Sequence, residues 1–398
     1  MGKMKIVIAG AGYGGLATAV TLQRKIDAAN VEITLINKNS YHYETTWLHE
    51  AAAGIVATDD VCYDIQPLLK DHVRFVEDVV TELDVASKCV RTMKGVYDYD
   101  YLVVGLGFEL NDYHIAGVRE HSYSLANATS ANAIWQRLQS LFEDEEKMKK
   151  GITIAVAGAG FTSIEFLGSL TEQLPYFAEQ YEFERENVQI VVIEKEATIL
   201  PTVEPSLREY AQHILEKRGV AFYTEAQIVD VQSDRVQYVK GTTYDQNVDL
   251  FIWTAGVKGS SIVEQSNLPN DKGRVTVSPF LHVEAYPEVF VAGDSSVVMD
   301  RYAQHPYAPT AQIAMRQGEH IAHNIVQCVL GTSMSPFMPN DKGSVCSLGA
   351  GDGIAFVKGQ PYTGRKAAVL KKMIDNHALF LVGGPRLIAQ KGKFNMFK

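Results

Sequence analysis

Short apolar runs bounded by small residues recur along the chain, and two of them open the same succession of elements. Lys5–Ala9 reads as a buried strand. Gly10-Ala11-Gly12-Tyr13-Gly14-Gly15 follows, then a helical spacing of Leu16, Ala19, Val20 and Leu22, and a second strand at Val31–Ile36. The pattern returns about 148 residues later. Ile152–Ala157 is again a strand, Gly158-Ala159-Gly160-Phe161-Thr162-Ser163 a turn, Ile164, Phe166, Leu167 and Leu170 a helix face, and Val188–Ile193 a closing strand. Tyr101–Gly107 and Leu250–Gly256 are strands running into small-residue turns, expected where the chain crosses between two domains. Val289–Asp294 is a strand that delivers an aspartate to a loop, and Pro309-Thr310 is a helix start.

The chemistry of the turns follows from their glycines. In G-x-G-x-x-G between strand and helix, the first glycine permits the tight turn and the second lets the backbone approach a pyrophosphate. The third lets helix and strand pack, with the helix N-terminus facing the phosphates. Both turns are therefore dinucleotide sites. At the end of the second strand the first copy has Asn37 and the second Glu194. A glutamate there suits a free ribose 2′-hydroxyl and repels a 2′-phosphate, so the second site is expected to prefer NADH to NADPH. Two such sites in one chain predict a flavin dinucleotide held in one and a nicotinamide dinucleotide visiting the other. Asp294 is expected on the flavin ribityl chain, against the bland reading of a turn aspartate.

Composition adds limits. The 398 residues, 46% hydrophobic and 21% charged, are globular and long enough for two or three domains. No run of 18 apolar residues spans a bilayer, and the opening apolar stretch is too short for an export signal. Cys62, Cys89, Cys328 and Cys346 form no C-x-x-C pair, and no metal-ligand cluster is readable. The net charge of −10 argues against nucleic acid. Arg365–Lys398 is the exception, with eight basic residues against Asp375 alone. Its apolar series, Val369 to Phe397, is broken by Gly383-Gly384-Pro385 and reads as two amphipathic segments. They form either an interfacial membrane anchor or a core-packed helix with a solvated basic face.

These residues together resemble the two-dinucleotide-binding-domain flavoproteins, and among them the type II NADH dehydrogenases. The specific marks are Ile8–Gly15, Asn37-Lys38-Asn39-Ser40-Tyr41-His42-Tyr43, Gly158–Thr162 with Glu165, Thr310–Ala314 and Lys391-Gly392-Lys393-Phe394. The resemblance implies an α/β fold of two Rossmann-like domains and a C-terminal membrane-associating module. The FAD domain is expected at 1–115 and 275–330, the NADH domain at 116–274 and the module at 331–398. It implies FAD, tightly but not covalently bound, on Gly10, Gly12, Tyr13, Gly14, Gly15, Asn37, Lys38, Thr46, Gly107, Asp294 and Ala311. NADH is implied on Gly158, Gly160, Phe161, Thr162, Glu194 and Gly256. Glu165 is implied near the stacked nicotinamide, Gln312 at the quinone, and Lys371 or Lys372 close to the flavin. The implied activity is NADH oxidation by a membrane quinone, with menaquinone expected, in a homodimer peripheral to the cytoplasmic face of the membrane.

Two positions depart from the family pattern. Ser163 stands where the third glycine belongs, adding a hydroxymethyl group at a close helix–strand contact. Ser169 stands where the family usually carries a second glutamate, one turn after Glu165, and a lone Glu165 is expected to lose the mutual push that raises a paired carboxyl's pKa. Two rivals stay open: a sulfide:quinone oxidoreductase, for which Cys346 lacks an evident partner, and a non-catalytic NADH-sensing paralogue.

Overall fold

The computed structural model describes residues 3–26, 29–300, 305–339 and 342–394. Met1, Gly2, Phe397 and Lys398 lie outside them. The fold is mixed α/β. One six-stranded sheet has the order His282–Val283, Tyr286–Val291, Tyr101–Val104, Met4–Ala9, Val31–Asn37, Val73–Glu77, parallel apart from its first pair. A five-stranded parallel sheet has the order Tyr123–Ser124, Leu250–Trp253, Ile152–Ala157, Val188–Ile193, Val220–Tyr223. In both, the strand before the glycine turn lies between its sequence successor and a strand from much later in the chain. That is the point where strand order reverses and a crevice opens beyond the strand ends.

The hydrophobic pattern explains these strands. Ile6, Ile8, Ile33 and Leu35 are fully buried, as are Ile154, Val156 and Ile190, because parallel sheets covered on both faces need continuous apolar runs. The chain passes between the sheets through Phe108–Leu110, which pairs antiparallel with Val257–Gly259. Short three-stranded sheets at 80–98 and 227–247, which no sequence pattern announced, flank the two units. In the stretch Gln173–Glu186, Phe177 lies tilted against Trp135 and Phe142 at 5.2 and 5.7 Å, and Phe183 lies 5.2 Å from Phe142, building an aromatic cluster over the Ala128–Phe142 helix.

After the Ala311–Val329 helix, the antiparallel strands Gly343–Ser347, Gly353–Val357 and Gln360–Thr363 support a helix over Arg365–Lys391. The two expected segments are both helical and meet at the expected break, where Gly384 (φ 64°, ψ −157°) leaves helical geometry, Pro385 supplies no N–H and only glycine takes a positive φ at low cost.

The Tyr13–Lys25 and Ala311–Val329 helices cross where a Cβ on Gly318 would lie 2.2 Å from the Gly14 carbonyl oxygen. Gly318→Ala should stabilise by about 1 kcal/mol on helix propensity. At this crossing we expect the opposite, a loss of about 1–3 kcal/mol by denaturant unfolding, because the helices must part.

Candidate active site

The first cradle is built by crowding. Gly10 (φ +97°) could carry no side chain, since its Cβ would lie 2.3 Å from the Gly105 carbonyl oxygen, and a Cβ on Gly15 would meet the Gly10 oxygen at 1.9 Å. Gly12 meets nothing closer than 3.9 Å and Gly107 nothing within 4 Å, so these backbones face open space. Gly14 lies against Ala292 and Ala314, which brings the N-terminal turn of the Ala311–Val329 helix to the same crevice. Thr310 caps that helix by accepting the Ile313 N–H at 3.2 Å. Ala311 and Gln312 are half-buried in its first turn. Asp294 accepts no hydrogen bond from any described residue, and burial raises its pKa against a lowering by Arg274. Its loop is fixed by Gln317, which sequence reading missed: Oε1 accepts the Gly293 N–H at 2.7 Å and Nε2 donates to Ser296 Oγ at 2.9 Å.

Asn37 is spent on architecture. Its Oδ1 accepts the Ala11 N–H at 2.9 Å and its Nδ2 donates to the Asn39 carbonyl at 2.8 Å, while Lys38 is exposed. Tyr13 and Tyr63 both donate to the buried Glu44, at 2.7 and 3.0 Å. Open glycine backbones, an unspent carboxylate and a helix N-terminus suit FAD.

The second cradle repeats the plan. Gly158 (φ +88°) abuts Ala255, Gly160 has nothing within 4 Å of its Cβ direction, and Glu194 Oε2 accepts the Ala159 N–H at 2.6 Å. Phe161 is half-buried and Thr162 exposed at the helix start, and Tyr113 roofs Gly256. Ser163 brings no clash: its Oγ bonds the Gly158 carbonyl at 2.6 Å and Thr254 Oγ1 at 2.5 Å, so the hydroxyl ties helix to strand.

Glu165 and Lys371 come together where the C-terminal helix meets both units. Lys371 Nζ lies 3.0 Å from Asp375 Oδ1 and 3.5 Å from the Thr46 carbonyl. Ser347 donates its N–H to Glu165 Oε1 at 3.2 Å. Burial lifts the Glu165 pKa to about 7, with Lys371 and the Ser347 N–H pulling down and Asp375 and Glu50 pushing up. The expected loss of push at a lone Glu165 is therefore corrected: desolvation does what a neighbouring carboxylate was assumed to do. Ser169 instead pairs with buried His49, Oγ to Nδ1 at 2.9 Å. Burial, then Lys371 and Lys393, hold that imidazole well below its ordinary pKa. Lys371 rather than Lys372 enters this cluster, and no hydrogen bond among described residues links Gln312 to it. Asp375, one turn from Lys371, was the member a helical reading could have found; Ser347 and His49 carry no local signal.

The basic tail is less free than its count suggested, because Lys371 and Lys393 turn inward to Asp375 and Glu50. Its outer face shows Met373, Ile374, Phe380 and Phe394, 54, 47, 48 and 63% exposed. All four cysteines are free, and burial, then Glu165, raises the Cys346 thiol well above its usual range. Among the described residues no cluster fit for a metal ion and no helix long and apolar enough to cross a membrane is present.

Two dinucleotide cradles in one chain define a nucleotide-dependent flavoprotein fold, and the family model described as pyridine nucleotide-disulphide oxidoreductase matches residues 4–318. Proteins named type II NADH:quinone oxidoreductase from Staphylococcus haemolyticus and Staphylococcus aureus are each 40% identical over 98% of this chain and 99% of their own. The chain belongs to the type II NADH:quinone oxidoreductase family. The structure titled NDH2 from Plasmodium falciparum in complex with NADH shares the fold (TM-score 0.87, 17% identity, 98% of each chain). So does the sulfide:quinone oxidoreductase of Aquifex aeolicus (0.80, 20%, 96% of this chain and 92% of that one).

The raised Glu165 has a measurable consequence. Between its ordinary value of 4.5 and about 7 the folded chain holds a proton that the unfolded chain has lost, so this residue makes stability fall as pH rises through that window. Glu165→Gln removes the effect, and its melting-temperature gain over the native protein should be larger at about pH 8 than at about pH 4.

Proposed function

We propose that this protein oxidises NADH and passes the electrons through bound FAD to a membrane quinone, without pumping protons. The observation that carries this reading is the likeness over almost the whole chain to enzymes of that name. The geometry supports it, with two open cradles and a carboxyl poised near neutrality beside a buried ammonium. FAD supplies the two-electron chemistry. The chain would hold it through the backbones at Gly10, Gly12, Tyr13, Gly14, Gly15, Thr46 and Gly107, with Asp294 for the ribityl hydroxyls, the Ala311 helix start for the pyrimidine, and Lys38 at the far ribose, beside a turn that Asn37 shapes through Ala11. NADH would lie along Gly158, Gly160, Phe161, Thr162 and Gly256, with Glu194 at its ribose.

The overall reaction consumes one proton as NADH and quinone become NAD and quinol. Glu165 is our candidate to hold that proton, since a carboxyl with pKa about 7 is populated in both forms at neutral pH. Lys371 sets the positive charge beside it, and its own pKa is raised by Asp375 and Glu165 against burial. Gln312 would orient a quinone carbonyl, with menaquinone the expected acceptor. We assign an FAD unit at 1–115 and 275–330, an NADH unit at 116–274 and a membrane module at 331–398, supported by where the two sheets and the C-terminal strands fall. The exposed Met373, Ile374, Phe380 and Phe394 support peripheral docking on the cytoplasmic face, where NADH is found. A homodimer belongs to this reading through the family likeness alone.

Anaerobic mixing of the purified yellow protein with NADH should bleach the flavin, and a menaquinone analogue should restore it while sulfide leaves it oxidised. Bleaching by sulfide would favour the sulfide:quinone reading; a flavin untouched by NADH would leave the sensing paralogue.

Glu194→Ala should raise the KM for NADH about tenfold or more with kcat little changed. It loses one charged acceptor, a loss of about 1.5–3 kcal/mol, and loosens the Ala159 turn. Steady-state kinetics with NADH and NADPH would show the preference for NADH shrinking.

A further inference from the structure

The end of the described chain folds back into the cluster around Glu165. Asn376 grips Lys393 from both sides, its Oδ1 accepting the Lys393 N–H at 2.7 Å and its Nδ2 donating to the Lys393 carbonyl at 3.0 Å. So held, Lys393 Nζ lies 2.6 Å from Glu50 Oε1, 3.5 Å from Asp375 Oδ2 and 4.2 Å from the centre of the Trp47 ring. Asp375, 4% exposed in its side chain, is thereby shared between Lys393 and Lys371. The ammonium of a lysine 22 residues further along the chain thus completes a line of alternating charge: Glu50, Lys393, Asp375, Lys371.

We infer that Lys393 is a positioning residue of the redox site: by pairing with Glu50 and Asp375 it holds Lys371 toward Glu165 and fixes the charge that Glu165 feels. This rests on the function proposed above. The electrostatics follow the geometry. Asp375 and Glu50 both raise the proton affinity of Glu165 and Lys371 lowers it. Lys393 pairs with both of the carboxylates that push upward, so its loss takes this cation from Glu50 and leaves Asp375 with Lys371, in a partly buried setting where screening is weakened. The remaining polar and titratable groups around the cluster are neutral or fixed. His49, on the Leu48–Ala52 helix, is kept uncharged by burial and the two lysines; Cys346 is a buried thiol; Ser347 contributes a backbone N–H. Fully exposed salt bridges with this pairing would be worth little, but Lys393 and Glu50 are 19 and 21% exposed and Asp375 4%, so the line of charges runs from a partly open end to a buried one.

The test uses the full-length holoenzyme with Lys393→Met, Lys393→Arg and Glu50→Gln, and the double variant Lys393→Met with Glu50→Gln. Two readouts are followed across pH: the visible absorbance of the oxidised bound flavin, and the rate of anaerobic flavin reduction by NADH. In Lys393→Met the limb assigned to Glu165 should move up by about one pH unit, a tenfold rise in proton affinity. Lys393→Arg should leave it near the native position, Glu50→Gln should move it down, and the double variant should return toward native. Flavin content and melting temperature confirm that each variant is folded. A folded, yellow Lys393→Met protein whose limb stays in place overturns the inference. Should Lys393→Met fail to fold, the double variant is compared with Glu50→Gln, the two differing only at Lys393: a higher limb in the double variant supports the inference and an equal or lower one overturns it. A flavin that NADH does not reduce would sink the proposed function, while the absorbance titration would still judge Lys393.

Discussion

Close approach of backbone to backbone at the ends of parallel strands is the constraint on which this molecule turns. At the first cradle Gly10 and Gly15 leave no room for a single carbon between strand end and helix start, Gly105 is tight at 3.2 Å, and Gly14 and Gly318 let a second helix descend onto the same point. Two helix N-termini and an unspent carboxylate are thereby gathered within one crevice, with the apolar sheet beneath them. Affinity for a dinucleotide follows from the missing side chains as much as from the ones present, because phosphate oxygens need N–H groups they can reach.

The second cradle shows that the constraint admits more than one solution. A serine at the third glycine position sits at the same helix–strand contact, and its hydroxyl bonds the carbonyl it would otherwise crowd. Asn37 and Glu194 likewise do one job with two chemistries, each accepting the N–H of the residue between the first two glycines. The difference lies in what is left over. Glu194 carries a charge and, after accepting the Ala159 and Glu196 N–H groups, keeps a lone pair on each of two oxygens for a ribose hydroxyl, whereas Asn37 is neutral and has a single oxygen, already bonded to Ala11.

Much of this was legible because it is local. The β-α-β units announce themselves through apolar runs, glycine spacing and helical periodicity within about thirty residues, and strands at Met4–Ala9 and Ile152–Ala157 lie where the pattern puts them. The sheets at 80–98, 227–247 and 343–363 were not legible, since their strands are short and their alternation means little until a partner fixes the register. The same holds for the chemistry. Glu165 and Lys371 were readable only through family likeness, and nothing in the sequence says that Ser347, His49 or Glu50 stand beside them, because 182 residues separate Ser347 from the glutamate it binds.

Charge in the C-terminal segment makes the point most sharply. Counted along the chain it is a basic tail, and a basic tail beside anionic lipid would gain about 1 kcal/mol per cation. Folded, it divides its work between two faces. Lys371 turns inward to the buried Asp375 and Lys393 to the partly exposed Glu50, and Phe380 and Phe394 turn outward. A buried ion pair stripped of one member costs about 3–5 kcal/mol, several times what one surface cation gains at a lipid headgroup. Lys371 is therefore the costly one to lose, and the docking on lipid proposed above would rest more on the exposed apolar side chains than the sequence count implied.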